Sequence, residues 1–247
     1  MFMKLSDRDA FGRPNKYRSL DEAGLLGYGN NSYTKALLHG DGDDESTSIV
    51  NNAKGGSEAW TASGGAEIDT VSKVFGSGSI YLPNGSAKVE ADIAALAGDF
   101  SVDFRLRLPA SSSNYANAWG YGNDPVGSGI LMYGEPRFAF YIKNGSGLFE
   151  MPCTAFSGDV FHHFIITRNG NTFSIWIDGA LDVSDTYAGA FLDFGLPMKL
   201  GGSANGGFAG HIEELRYTDG VDITSDINDP CYSANGTTYT VPAKAYK

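Results

Sequence analysis

Phe100, Val102, Phe104, Leu106 and Leu108 alternate strictly with Ser101, Asp103, Arg105 and Arg107. That period-two pattern predicts a strand with one face in a core and the other in water. The stretch Phe161 to Val183 predicts two further strands joined by a tight turn. Phe164, Ile165 and Ile166 run together before the turn, so this strand is expected to be covered on both faces. Phe173, Ile175 and Ile177 alternate with polar residues and Trp176, which suits a half-covered partner. Asn169-Gly170 is a type I′ hairpin signal, because both central residues of that turn need positive φ; Asp178-Gly179 supplies a second turn.

Short apolar runs with strand character recur along the rest of the chain: Ala36–Leu38, Ala66–Asp69, Ile80–Leu82, Lys88–Glu90, Ile130–Tyr133, Phe138–Ile142, Leu148-Phe149, Met198–Leu200 and Phe208–Tyr217. Ile93 to Leu96 suits a short helical turn. Residues 109–129, rich in Ser, Asn, Gly and Tyr, read as one long loop, and a long loop inside a compact domain is usually functional. Composition agrees with an all-β chain: 33 Gly, 13% aromatics and only 9 Pro, with turn residues between short runs. The expected fold is an antiparallel two-sheet β-sandwich. No run of about 18 apolar residues occurs, so membrane insertion is not expected.

Charge divides the chain. Of the net −11, residues 1–35 contribute +2, from six Lys/Arg against four acids, which leaves −13 for the rest. An acidic body argues against nucleic acid as a partner, since phosphate contacts need clustered Lys and Arg. The first 35 residues show no sustained period. They are read as an assembly arm, with Arg8, Arg13, Lys16 and Arg18 as its contact residues. Residues 36–222 form the expected domain, and 223–247, with Tyr232, Tyr239 and Tyr246, a C-terminal tail laid along a surface. The first residues lack the apolar core of a secretory signal. Cys153 and Cys231 are too few for a disulfide framework and are expected to be free.

Several motifs carry a resemblance. Leu37-Leu38-His39-Gly40-Asp41-Gly42, Phe75-Gly76-Ser77-Gly78-Ser79, the strand from Phe100, the hairpin from Phe161, and the pair Lys199-Leu200-Gly201-Gly202 and Phe208 to Val221 resemble laminin-G-like, concanavalin A-like jelly rolls of bacteriophage structural proteins. The resemblance covers about residues 36 to 222. It implies a concanavalin A-like jelly roll whose last strand returns beside the first. It also implies a non-enzymatic virion protein, decorating a capsid or sitting in a tail or fibre. Such a protein would assemble in the host cytoplasm and be released by lysis. Its partners would be other virion proteins and copies of itself, a homo-oligomer with a trimer as the specific expectation. The alternative is a carbohydrate-binding module that attaches to host or mucus glycans.

Some sandwiches of this type are retaining glucanases, which need two carboxylates about 5–5.5 Å apart. Glu67-Ile68-Asp69 begins the required Glu-x-Asp-x-Glu, but Val71 and Ser72 stand where the acid/base should be. Glu213 and Glu214 are adjacent and, in a regular strand, point to opposite faces. No enzyme is therefore expected. The four His lack metal spacing and read as hydrogen-bonded sheet residues. Asp41, Asp43, Asp44 and Glu45 are clustered hard-oxygen groups and the candidate ligands for calcium, although a solvated acidic loop explains them as well. No cofactor is otherwise required. In the 109–135 region, Tyr115, Trp119, Tyr121 and Tyr133 with Asn123 and Asp124 are the candidate glycan- or partner-binding residues. Rings take the apolar face of a sugar and amides its hydroxyls, while the same residue types suit a protein contact.

Overall fold

The computed structural model describes residues 29–94, 98–109, 116–123, 126–132, 138–144, 148–189, 196–202, 209–226 and 229–247. Fifteen strands run through them and no helix is present among the described residues. They are β1 Thr34–Leu38, β2 Thr61–Ser63, β3 Glu67–Asp69, β4 Ser79–Leu82, β5 Lys88–Ala91, β6 Phe100–Arg107, β7 Ala116–Asn123, β8 Val126–Met132, β9 Phe138–Asn144, β10 Leu148–Pro152, β11 Phe161–Asn169, β12 Thr172–Ile177, β13 Ala180–Thr186, β14 Met198–Gly201 and β15 Gly210–Asp219. All pairings are antiparallel. One sheet runs β13-β12-β11-β6-β15-β4-β3, with β1 also on β15; the other runs β10-β9-β8-β7-β14-β5-β2. The last strand does return beside the first, Leu38 opposite Leu215.

The two sheets meet across an aromatic core. Phe100 and Tyr217 of the first sheet lie 6.4 and 6.1 Å from Trp119 of the second, and Phe173 stacks 5.1 Å from Phe140. Trp119 and Tyr121 are fully buried, which corrects their reading as surface rings in a loop. Residues 116–123 and 126–132 are instead paired antiparallel strands, β7 and β8. The alternation Trp119-Gly120-Tyr121-Gly122 sends both rings to one face, and the Ser, Asn and Gly around it masked the period.

The central hairpin follows the expected strands with a different turn. Asn169 pairs with Thr172, so the two-residue loop is Gly170-Asn171. Of these, Gly170 has φ +59 and Asn171 does not reach positive φ, which is the II′ form. At the next turn Asp178 and Gly179 both have positive φ, 48 and 93, and the I′ form applies.

Phe164, Ile165 and Ile166 are all fully buried, as a doubly covered strand requires. What covers the outside is the C-terminal segment. Ile223, Cys231 and Tyr239 form a second apolar cluster with Ile165 and Trp176. Both cysteines are buried thiols outside any disulfide. Among the described residues, no helix is long and apolar enough to cross a membrane.

Candidate functional site

The outward side chains of β6 are Ser101, Asp103, Arg105 and Arg107. The first three are buried, contrary to the wet face their polarity predicts. The chain after β15 lies over them. Ser101 Oγ donates to the Val221 carbonyl at 2.8 Å and accepts from Ile223 N at 2.9 Å. Asp103 accepts from Arg216 Nε at 2.8 Å and from the Tyr246 hydroxyl. Arg105 donates to the Pro242 carbonyl at 2.6 Å, its guanidinium 4.5 Å from the Phe75 ring. Arg216 is held further by Asp229, at 2.7 and 3.1 Å, and by the Gly29 carbonyl at 2.8 Å. Burial pushes the Asp103 carboxyl up, but Arg216 and His163 outweigh it and hold it below the usual range.

A bulge in β15 shapes this face. Glu213 lies opposite Arg105 and Arg216 opposite Asp103, so β15 spends one extra residue there, and Glu214 takes φ +54. Glu213 and Glu214 consequently both reach the outer face, correcting their reading as opposed. Neither is available as a free carboxylate. Glu213 accepts from the backbone N–H groups of Val74, at 2.6 Å, and Phe75. Glu214 binds His39 Nδ1 at 2.6 Å and accepts from Tyr246 N at 2.9 Å. Burial raises Glu213 to about 7 despite those two N–H donors.

The covering segment stops at Arg107, whose side chain keeps 33% exposure. Arg107 donates to Ser72 Oγ at 3.2 Å and to the Asp159 carbonyl at 3.1 Å. Here five strands place one residue each in a register row: Phe161 of β11, Arg107 of β6, His211 of β15, Tyr81 of β4 and Glu67 of β3. The Tyr81 and His211 rings stack at 4.6 Å and 19°, and Phe161 meets His211 edge-on at 6.4 Å. His211 Nε2 donates to Asp69 Oδ2 at 2.8 Å, and Asp69 also accepts from Val71 N at 2.7 Å. Burial, helped by Arg107, holds His211 below its ordinary pKa despite Asp69.

Three exposed valines lie on neighbouring segments: Val71 (87%), whose N–H donates to Asp69, Val160 (47%), next to Phe161, and Val74 (44%), whose N–H donates to Glu213. Open apolar side chains bordering half-buried rings, an arginine and two carboxylates can hold a ligand with apolar faces and hydroxyl edges. This row is invisible to sequence reasoning, because its members lie on five strands. Period-two alternation gives each residue's face, but only the register aligns them.

The residues expected to form a site fare differently. Tyr115, Asp124 and Tyr133 lie outside the described residues, as do Arg8, Arg13, Lys16 and Arg18 of the arm. Asn123 ends β7. Thr34 and Lys35, placed in the arm by sequence, already belong to β1. In the acidic loop, Asp41 accepts from Ser77 N at 2.5 Å and Ser77 Oγ at 3.1 Å, and Asp44 from Thr70 N at 3.0 Å and Thr70 Oγ1 at 2.9 Å. The Asp41 and Asp44 carboxylates thus staple neighbouring loops. His39 bonds to Glu214, His162 to Asp178 and His211 to Asp69, while His163 Nε2 stands 3.5 Å from Asp103 Oδ2.

Residues 76–226, more than half of the chain, match the family model of the concanavalin A-like lectin/glucanases superfamily, laminin G type. No curated protein matches the sequence. Among solved structures, domain 4 of the extracellular arabinanase AbnA of Geobacillus stearothermophilus, in complex with arabinotriose, aligns at TM-score 0.56 and 15% identity, covering 76% of this chain and 94% of that one. A botulinum neurotoxin type C structure, whose cell entry depends on two ganglioside molecules, aligns at 0.57 and 13% over 77% of this chain; the chain spans about half of that structure's length, 49%. A Trypanosoma rangeli sialidase aligns at 0.56 and 9%, covering 81% of this chain and 34% of the enzyme. At such identities the likeness is one of fold. With the family match and the two antiparallel sheets, the chain belongs to the concanavalin A-like lectin/glucanase superfamily.

Proposed function

We propose that this chain is a non-catalytic, lectin-like module that binds carbohydrate on the open end of its larger sheet. The observation that carries the reading is the row Phe161, Arg107, His211, Tyr81 and Glu67, which lies beyond the segment covering Ser101, Asp103 and Arg105 and whose members other than the buried His211 are partly exposed. Tyr81 and Phe161 offer apolar ring surface to a pyranose or furanose face, while Arg107, Glu67 and Asp69 offer donors and acceptors to hydroxyls. The glycan-bound neighbours of the same fold support this reading. Glu213 and Glu214 are committed to backbone N–H groups and a histidine, which supports a binding role over hydrolysis. A glycan array probed with the full-length protein tests it. Saturable binding to a defined set of oligosaccharides is expected, and a blank array at high protein concentration contradicts it.

A second reading places the module in a bacteriophage particle as a homo-oligomer, a trimer in its specific form, joined to other virion proteins through residues 1–35. The phage-like jelly-roll motifs, among them Phe75-Gly76-Ser77-Gly78-Ser79, favour it. Closed rings are the usual assembly of identical chains. Mass photometry of the purified protein should then give a trimer, and deleting residues 1–28, which leaves β1 and the Gly29 carbonyl bound by Arg216 in place, should block incorporation into particles. A monomer incorporated normally without the arm overturns this reading.

A further inference from the structure

We propose that Asp103, His163 and Cys231 form a buried binding site for a divalent cation of the zinc class, which fastens the C-terminal segment to the larger sheet. Each ligand comes from a different part of the chain: Asp103 from β6, His163 from β11, and Cys231 from the segment after β15. One ligand atom from each lies within 4.8 Å of the other two, and among the described residues this is the one trio of His, Cys or acids that converges so. All three are buried, at 0%, 2% and 0% exposure.

The histidine is the most telling member. Its Nδ1 is held by the Tyr239 hydroxyl at 2.6 Å, which fixes the ring. Its Nε2 has no hydrogen-bond partner and stands 3.5 Å from Asp103 Oδ2, aimed into the trio. A ring anchored through one nitrogen and presenting the other is how proteins set a metal-ligating histidine.

Arg216 is flanked by Asp103 and Asp229, and Arg105 lies opposite His163 in register, so the buried cluster pairs two positive with two negative groups. Loss of the Cys231 thiol proton to solvent on metal binding adds one negative charge, which a divalent cation offsets. Arg216 Nη2, 3.6 Å from Cys231 Sγ, is placed to donate to the resulting thiolate. One sulfur, one imidazole and one carboxylate select a borderline-soft cation over calcium or magnesium, which take oxygen alone. The Tyr246 hydroxyl, 3.5 Å from Cys231 Sγ and bonded to Asp103, offers an oxygen for a fourth position.

The test uses full-length protein stripped with a chelator and then titrated with Co²⁺ and Zn²⁺. The expected result is one equivalent per chain, a thiolate-to-cobalt charge-transfer band, and a rise in Tm on adding Zn²⁺. Cys153→Ala should keep the band. Cys231→Ser should lose it, with an affinity loss beyond the roughly 10–100-fold that removing an outer-shell partner costs. His163→Gln should weaken binding similarly, and gives a second reading if Cys231→Ser fails to fold. Absence of the band in the wild-type protein overturns the proposal. So does a single equivalent that survives both variants, which would place the ion on other residues.

Discussion

Arg216 and Asp103 face each other across β15 and β6, Nε to Oδ1 at 2.8 Å, and neither side chain sees solvent. The pair exists because of two features far apart in sequence. The bulge at Glu214 brings Arg216 into register with Asp103, and the C-terminal segment closes over both, with the Tyr246 ring 4.2 Å from the guanidinium. What a strand pattern presents as a solvated face is therefore an internal polar layer. It separates the main core from the smaller apolar cluster of Ile165, Trp176, Ile223, Cys231 and Tyr239.

Removing the guanidinium leaves two carboxylates buried without a counter-charge. Arg216→Met should cost about 3–5 kcal/mol of stability. Urea unfolding measures it, and a loss under 1 kcal/mol would show that the pair is hydrated rather than sealed.

Trp119 belongs to the core and not to a binding loop. Trp119→Ala should cost about 3–5 kcal/mol through the cavity left between Phe100, Tyr121 and Tyr217. Any loss of glycan binding in that variant should track its lowered Tm. A Tm equal to wild type would return Trp119 to the surface.

Glu213 gives the protein a pH dependence of definite sign. Its folded pKa is raised from 4.5 to about 7, so between those values the folded state holds a proton that the unfolded chain has released. Stability falls as pH rises through that window. Glu213→Gln removes the dependence. The difference between variant and wild type should move in favour of Gln by on the order of 3 kcal/mol from pH 4.5 to pH 8. Unfolding midpoints at the two pH values read it, and a constant difference would contradict the shift.

The two hairpin glycines should differ. Gly170, at φ +59, faces open space, so Gly170→Ala pays only backbone strain, about 1 kcal/mol. Gly179, at φ +93, would place a Cβ 2.9 Å from the Tyr239 carbonyl as well, pressing on the C-terminal segment. Gly179→Ala should therefore be the more damaging by thermal melt, and equal losses would mean the segment yields freely.

How much of this was legible follows a physical line. Local alternation gave β6 and β12, and the unbroken Phe164-Ile165-Ile166 run announced cover on both sides of β11 without naming the cover. The polar positions of β6 were read as wet because nothing in a strand's own pattern records a segment returning about 120 residues later, as Val221 does to Ser101. Trp119 and Tyr121 were misplaced because glycines at the alternate positions of β7 imitate a loop. Glu213 and Glu214 were misread because a bulge shifts the two-residue period by one. The open row needed the register of five strands at once, which no single stretch contains.

The central claim is that this row binds carbohydrate, and substitutions that spare the fold test it most directly. Val71→Asp changes a side chain that is 87% exposed, and Tyr81→Ala removes a ring from the row. Wild type and both variants should be titrated with the best oligosaccharide from the array, with Tm measured alongside. The account predicts a loss of affinity of at least tenfold in each variant with Val71→Asp melting as wild type does. Unchanged affinity in both would contradict it and move the binding surface elsewhere on the sandwich.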